Sequence, residues 1–309
     1  MMQCCRRLAT LTTILLIALP ASTNAATVDQ LFDRLDEGYV DSDGVKIHYV
    51  TAGKGPLVLF IHGFPDLWYT WRHQMAALVD DYQVVAISQR GYNLSDKPKG
   101  KENYDFKYLI ADVKAVVEHF PQEKATIVGH DWGGSVSWSF VMTHPELSQN
   151  LVIFNRPHPR GRNRELATNN AHKQVSVYIR RFKDNPGDMG YTAEALARRY
   201  EDDPKIHKLY LEGFRQSSFE AMTDYYRQNY PDPPYMTDEG PPKPVACPVL
   251  MFHGLDDRAL GHEALNHMWE WLDQDLTLVT LPGVGHDSHH GPVEFVSGLM
   301  KNWLDLKTK

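Results

Sequence analysis

Apolar positions change their period several times along the chain, and those changes predict its elements. Residues 57–61, 84–87, 125–128 and 151–154 are short, unbroken apolar runs. Such runs predict strands covered on both faces of a parallel sheet. Residues 45–50 alternate instead, as a half-buried strand does, after a turn over 41–44, while 32–40 show no clear period. Helical spacing predicts helices over 69–79 and 105–120. Strands alternating with helices predict an α/β fold, a wound and mostly parallel sheet with helices on both faces. The rhythm stops at Asn155. Residues 156–246 are polar and helix-rich and end in two proline-dense stretches, so they read as an inserted, mainly helical cap. Strand runs resume at 248–252 and 276–280, with a helix expected over 263–272 between them and a last helix over 293–306. The core is thus residues 26–155 and 247–309.

At 309 residues with 42% hydrophobic content, the chain can bury a large core. Its first 25 residues stand apart: Arg6 and Arg7 precede an apolar run over 8–19, then Pro20 and mostly small residues. That order predicts a secretory signal peptide cut near Ala25 or Ala26, and export to the periplasm or out of the cell. The run is shorter than the roughly 20 residues a spanning helix needs, so no integral membrane anchor is expected after cleavage. Without the leader's two arginines, 30 basic residues face 39 acidic ones, a formal charge of −9. That balance offers nothing to nucleic acid or to an anionic membrane. Cys247 is then the one cysteine, set among apolar residues as a small buried side chain.

The chemistry sits at strand ends. Gly129-His130-Asp131-Trp132-Gly133 joins a buried strand to a helical segment. Its spacing is that of a tight turn that lifts one side chain above a sheet, and here that side chain is an acid, Asp131. After the next strand runs come Gly254-Leu255-Asp256-Asp257 and Gly283-Val284-Gly285-His286. Nucleophile, acid, histidine is the order of a catalytic triad on such a sheet. Only one of the adjacent Asp256 and Asp257 can face the histidine, and the spacing from Gly254 selects Asp257. His286, His289 and His290 could together be read as a metal cluster, but no carboxylate motif accompanies them, and His289 and His290 read as solvated. His62-Gly63-Phe64-Pro65 follows another buried strand, and its Phe64 N–H with the Trp132 N–H would form an oxyanion hole.

With these motifs the chain resembles the epoxide hydrolases of the α/β-hydrolase fold, and their neighbours the haloalkane dehalogenases, from about Val45 to Leu304. The segment from Arg90 to Pro98, containing Arg90-Gly91-Tyr92, adds to the likeness. The resemblance implies an aspartate nucleophile, no metal or cofactor, and two cap tyrosines that hydrogen-bond the epoxide oxygen. It places these at Tyr178 and at Tyr226, the latter in preference to Tyr225. Dehalogenases pair the tryptophan after the nucleophile with a second halide donor; Trp132 is present, but Phe64 stands where an asparagine would serve, and residues 156–246 contain no tryptophan. Fluoroacetate dehalogenases carry arginines just after the nucleophile, where this chain has Trp132 and Ser135. Two departures from the resemblance are Ser88, where an acid is usual, and His289-His290 beyond His286. Arg180 and Arg181 have no assigned role.

The expected function is hydrolysis of a small-molecule epoxide to a vicinal diol through an ester on Asp131. Tyr178 and Tyr226 serve the leaving oxygen, His286 with Asp257 activates water, and Phe64 and Trp132 line the substrate site. A haloalkane dehalogenase with the same triad and a non-catalytic binding protein are the alternatives.

Overall fold

The computed structural model describes residues 25–170, 177–241 and 243–308, with the backbone alone at Val177 and Tyr178. The expected leader, save Ala25, lies outside the described residues. Among those described, one sheet contains β1 (Asp36–Ser42), β2 (Val45–Ala52), β3 (Leu57–Ile61), β4 (Gln83–Ile87), β5 (Ala125–His130), β6 (Ser148–Phe154), β7 (Val249–Gly254) and β8 (Leu276–Leu281). Their spatial order is β1-β2-β4-β3-β5-β6-β7-β8.

The first strand is one that the apolar pattern misses. Asp36, Glu37 and Asp41 lie exposed along β1, which pairs antiparallel with β2. The turn expected over 41–44 contracts to Asp43 and Gly44, whose φ of +54° and +82° make a tight hairpin. Beyond the β2–β4 pairing every neighbour is parallel. Ile61 pairs with Gly129, His130 with Phe154, and Gly254 with Leu281, so these strands end level. The loops after β3, β5, β6, β7 and β8 therefore meet on one edge, where open α/β sheets hold their ligands.

Helices α1 (Val28–Phe32), α2 (Arg72–Leu78), α3 (Phe106–His119) and α4 (Asp131–Thr143) come before β6. Leu109, Val113, Val116 and Val117 form the buried stripe of α3, and Asp105 caps it by accepting from the Lys107 N–H at 3.0 Å. Between β6 and β7 run α5 (Pro159–Thr168), α6 (Val177–Asp184), α7 (Ala193–Ala197), α8 (Pro204–Gln216) and α9 (Phe219–Asn229), and α10 (Val293–Thr308) closes the chain. Asp203 caps α8, which buries Ile206, Tyr210 and Phe214 at helical spacing.

Specific hydrogen bonds fix these helices to the sheet's loops. Tyr210 donates to Asp66 and Tyr225 to the Arg90 carbonyl, each at 2.9 Å, and the Ser218 N–H donates to the Gly91 carbonyl at 2.9 Å. The helix expected over 263–272 is instead two 3₁₀ turns, His262–Leu265 and Met268–Trp271. His267 lies between them with φ +64°, a left-handed residue that ends the helical backbone. Cys247 is buried and free, its thiol pushed up to about 12 by desolvation. No helix of the described residues is long and apolar enough to cross a membrane.

Candidate active site

Where β5 becomes α4, Asp131 takes φ +49°, a conformation that costs a non-glycine residue on the order of 1–3 kcal/mol. Close packing holds it there. A Cβ on Gly133 would lie 2.1 Å from the Ile61 carbonyl oxygen, and one on Gly63 would lie 2.6 Å from the Asp131 Cβ. Neither contact is possible for a larger residue without moving backbone, so the glycines let the β3 and β5 loops touch.

The Asp131 carboxylate is buried and its two oxygens differ. Oδ1 accepts the Phe64 N–H at 3.0 Å. Oδ2 faces His286 Nε2 at 3.7 Å and Arg156 Nη1 at 3.9 Å, too far for hydrogen bonds but close enough for charge to act. Burial pushes the carboxyl's pKa up, yet His286 and Arg156 outweigh it and hold the group well below the usual carboxylate range. Asp131 is ionised at neutral pH.

His286 is fixed from behind by Asp257. Its Nδ1 lies 2.9 Å from Asp257 Oδ2, which also accepts from Asn155 Nδ2 at 2.8 Å. The other oxygen accepts the N–H groups of Ala259 at 2.7 Å and Leu260 at 2.9 Å. Burial raises the Asp257 pKa, and His286 with these donors lowers it further than burial lifts it. For His286, burial lowers the pKa, but two facing carboxylates win and raise it to about 10. It is therefore an imidazolium between two anions. The neighbouring Asp256 is exposed.

An aromatic cluster covers this edge. The Tyr226 ring meets Trp132 at 5.0 Å and Phe64 and Phe182 at 5.1 Å each, so Tyr226 lies directly over the Asp131 loop. The Tyr225 ring also meets Trp132, at 5.8 Å, but its hydroxyl donates to the Arg90 carbonyl. Tyr178 is on the first turn of α6, and its side chain lies outside the described residues.

The remaining histidines depart from expectation. His289 is completely buried and His290 half-buried, because the 3₁₀ turn Ser288–His290 tucks both beneath the β3 loop. Their Nε2 atoms reach the Thr70 hydroxyl at 2.6 and 2.7 Å, and that hydroxyl donates to Asp66 at 2.8 Å. A carboxylate does accompany these histidines, and the three bring one possible ligand atom each within 4.8 Å of one another. Thr70 already satisfies those atoms: a hydroxyl can donate once and accept twice, which is what this arrangement asks of it. His286 stands apart from the group, facing the two carboxylates.

The family model for the alpha/beta hydrolase fold matches residues 56–291. The chain belongs to that family. Epoxide hydrolase 1 of Caenorhabditis elegans is 31% identical to this α/β-hydrolase chain over 289 residues, 87% of this chain and 70% of that protein. An AB hydrolase superfamily protein of Bacillus subtilis is 45% identical over 124 residues, only 39% of this chain and 43% of the relative. Among solved structures, a point mutant of an epoxide hydrolase from Bacillus megaterium aligns with a TM-score of 0.80 at 30% identity, covering 87% of this chain and 100% of the other.

The site of this α/β hydrolase also includes residues that the motifs do not name. Asn155, with φ +47°, sends its side chain to Asp257, and Arg156 turns its guanidinium toward Asp131. Both follow β6 directly, at the level where β3, β5, β7 and β8 also end in residues of the site; that position was the available signal. Asp287 joins Arg199 at 2.6 Å, and the His130 Nε2–H donates to the His286 carbonyl at 3.0 Å, steadying the loop that carries His286. Arg181 pairs with Asp188 at 2.8 Å on the surface.

Proposed function

We propose that this chain is an epoxide hydrolase, opening its substrate through a covalent ester on Asp131 and releasing a vicinal diol. The observation that carries the reading is the asymmetry of one carboxylate. With Oδ1 bound by the Phe64 N–H, Oδ2 is the ionised oxygen left to attack a carbon in line.

In this mechanism the Asp131–carbon bond forms as the ring carbon–oxygen bond breaks. The departing oxygen takes a proton from a tyrosine hydroxyl, Tyr226 with Tyr178, each acting from the helical insertion as cap. Esterification erases the Asp131 charge, one of the two that hold His286 near 10, so the imidazolium becomes acidic enough to return a proton to the tyrosinate through solvent. His286 is now a base. Its Nε2 takes a proton from water, whose oxygen attacks the ester carbonyl, while Asp257 stabilises the imidazolium that forms. The tetrahedral oxyanion rests on the N–H groups of Phe64 and Trp132. Collapse releases the diol, whose leaving oxygen takes that proton, and the Asp131 carboxylic acid left behind passes its own proton to His286, restoring the carboxylate and the imidazolium.

A His286→Gln variant separates the two halves of the reaction. Incubated with a neutral terminal epoxide and weighed intact, it gains the mass of the whole epoxide on Asp131. Alkylation by haloalkanes with no epoxide adduct would make the chain a dehalogenase, and no adduct with either would leave it a binding protein.

Residues 1–25 serve in this reading as an export leader. Protein recovered outside the cytoplasm then begins near Ala26; full-length chain retained in the cytoplasm contradicts that.

A further inference from the structure

The proposed mechanism gives the Arg156 guanidinium no step of its own. Its side chain is only 10% exposed, yet among the described residues it makes no hydrogen bond. Its two neighbours are the Asp131 carboxylate at 3.9 Å and the Trp132 ring, whose centre is 5.7 Å from the guanidinium carbon. Apart from that distant charge contact the guanidinium has no acceptor among the described residues, and its planar set of donors suits an anion that reaches it from the cavity.

Beside it is room for one. A cavity of about 250 Å³ lies along the outer face of α4 and shares Trp132 and Arg156 with the Asp131 site. Ser135 lines it too, with its buried hydroxyl unpartnered, and Arg162 adds a second guanidinium from α5. The chain is shaped to admit the Arg156 stem. A Cβ on Gly134 would lie 2.6 Å from the Arg156 Cβ, so the second glycine of the pair leaves the space that the arginine fills.

The geometry points to a carboxylate subsite formed by Arg156 and Ser135, which makes the preferred substrate an epoxide bearing a carboxylate close to the ring. This inference rests on the epoxide hydrolase reading. The attacking oxygen, Oδ2, is the Asp131 atom nearest Arg156. A carbon poised roughly 3 Å from Oδ2 and a carboxylate oxygen roughly 3 Å from the guanidinium can then belong to one molecule, about two or three bonds apart. Arg156 supplies the planar fork that matches a carboxylate, and it offsets the repulsion that Asp131 would exert on an anionic substrate.

The test compares epoxybutanoate, with its ring at the end away from the acid, with its neutral amide, and each protein is judged by the ratio of the two kcat/KM values. A ratio does not change with the fraction of protein folded. Wild type favours the acid by roughly 10- to 100-fold; Arg156→Gln abolishes the preference, and Arg156→Lys, which keeps charge without the fork, retains part of it. Equal use of acid and amide by wild type, or a preference that survives in Arg156→Gln, overturns the subsite. Turnover of a larger neutral epoxide with neither butyl compound used also removes the subsite while leaving the activity intact. Failure with every epoxide ends both readings.

Discussion

His286 Nε2 and Asp131 Oδ2 face each other across 3.7 Å, beyond hydrogen-bond reach, while the far nitrogen of the same ring is 2.9 Å from Asp257. The imidazole is thus tightly bound on one side and coupled through charge alone on the other. Its titration followed by NMR should occur near pH 10 in the wild type, and Asp131→Asn should lower it by about 1–3 units. The folded pKa lies above that of an unfolded histidine. Stability from the imidazolium is therefore complete below about pH 6.5 and is lost as pH rises through about 10. The wild-type melting temperature should fall over that window, and that of Asp131→Asn less steeply.

Asp257→Asn should leave ester formation almost intact and slow ester hydrolysis by about 10³–10⁴-fold. The amide replaces an acceptor that holds the ring and stabilises its charge. Rapid-quench kinetics should show a burst of ester followed by negligible turnover; equal slowing of both steps would assign Asp257 to the first step as well.

The adjacent tyrosines should separate by function. Tyr226→Phe removes the hydroxyl that the proposed mechanism uses to protonate the leaving oxygen and should slow ester formation about 10²-fold. Tyr225→Phe leaves the Arg90 carbonyl unpaired in the core and should cost about 1–3 kcal/mol of stability, with the chemistry of the folded fraction preserved. Denaturant unfolding and single-turnover rates on both variants check this pair.

Gly133→Ala should destabilise the fold by about 1–3 kcal/mol or more, since its methyl group would meet the rigid carbonyl of β3. A melting temperature unchanged from wild type would contradict the account of the turn.

Much of the site was legible in the sequence because its residues sit where unbroken apolar runs end. Asp131, Asp257 and His286 follow β5, β7 and β8, and level strand ends turn that sequence rule into proximity. Arg156 obeys the same rule after β6, yet no motif surrounds it, and its position at the change of composition made it read as a boundary. The first strand escaped because its acids face water and leave too few apolar positions to set a period. The supposed helix before β8 has helical composition, but the left-handed His267 is a tertiary outcome that no local pattern announces. His289 and His290 looked solvated beside glycine and serine; burial came from a turn that folds them toward Thr70 and Asp66, more than 200 residues earlier.

The covalent ester on Asp131 is the central claim, and a single turnover in heavy-oxygen water, with enzyme in excess over a neutral epoxide, tests it most directly. Water attacks the ester carbonyl in this account, so the first diol carries only ordinary oxygen and the heavy atom is found in the Asp131 carboxylate by peptide mass. Heavy oxygen in the first diol, with Asp131 unlabelled, would mean that water attacks the epoxide itself.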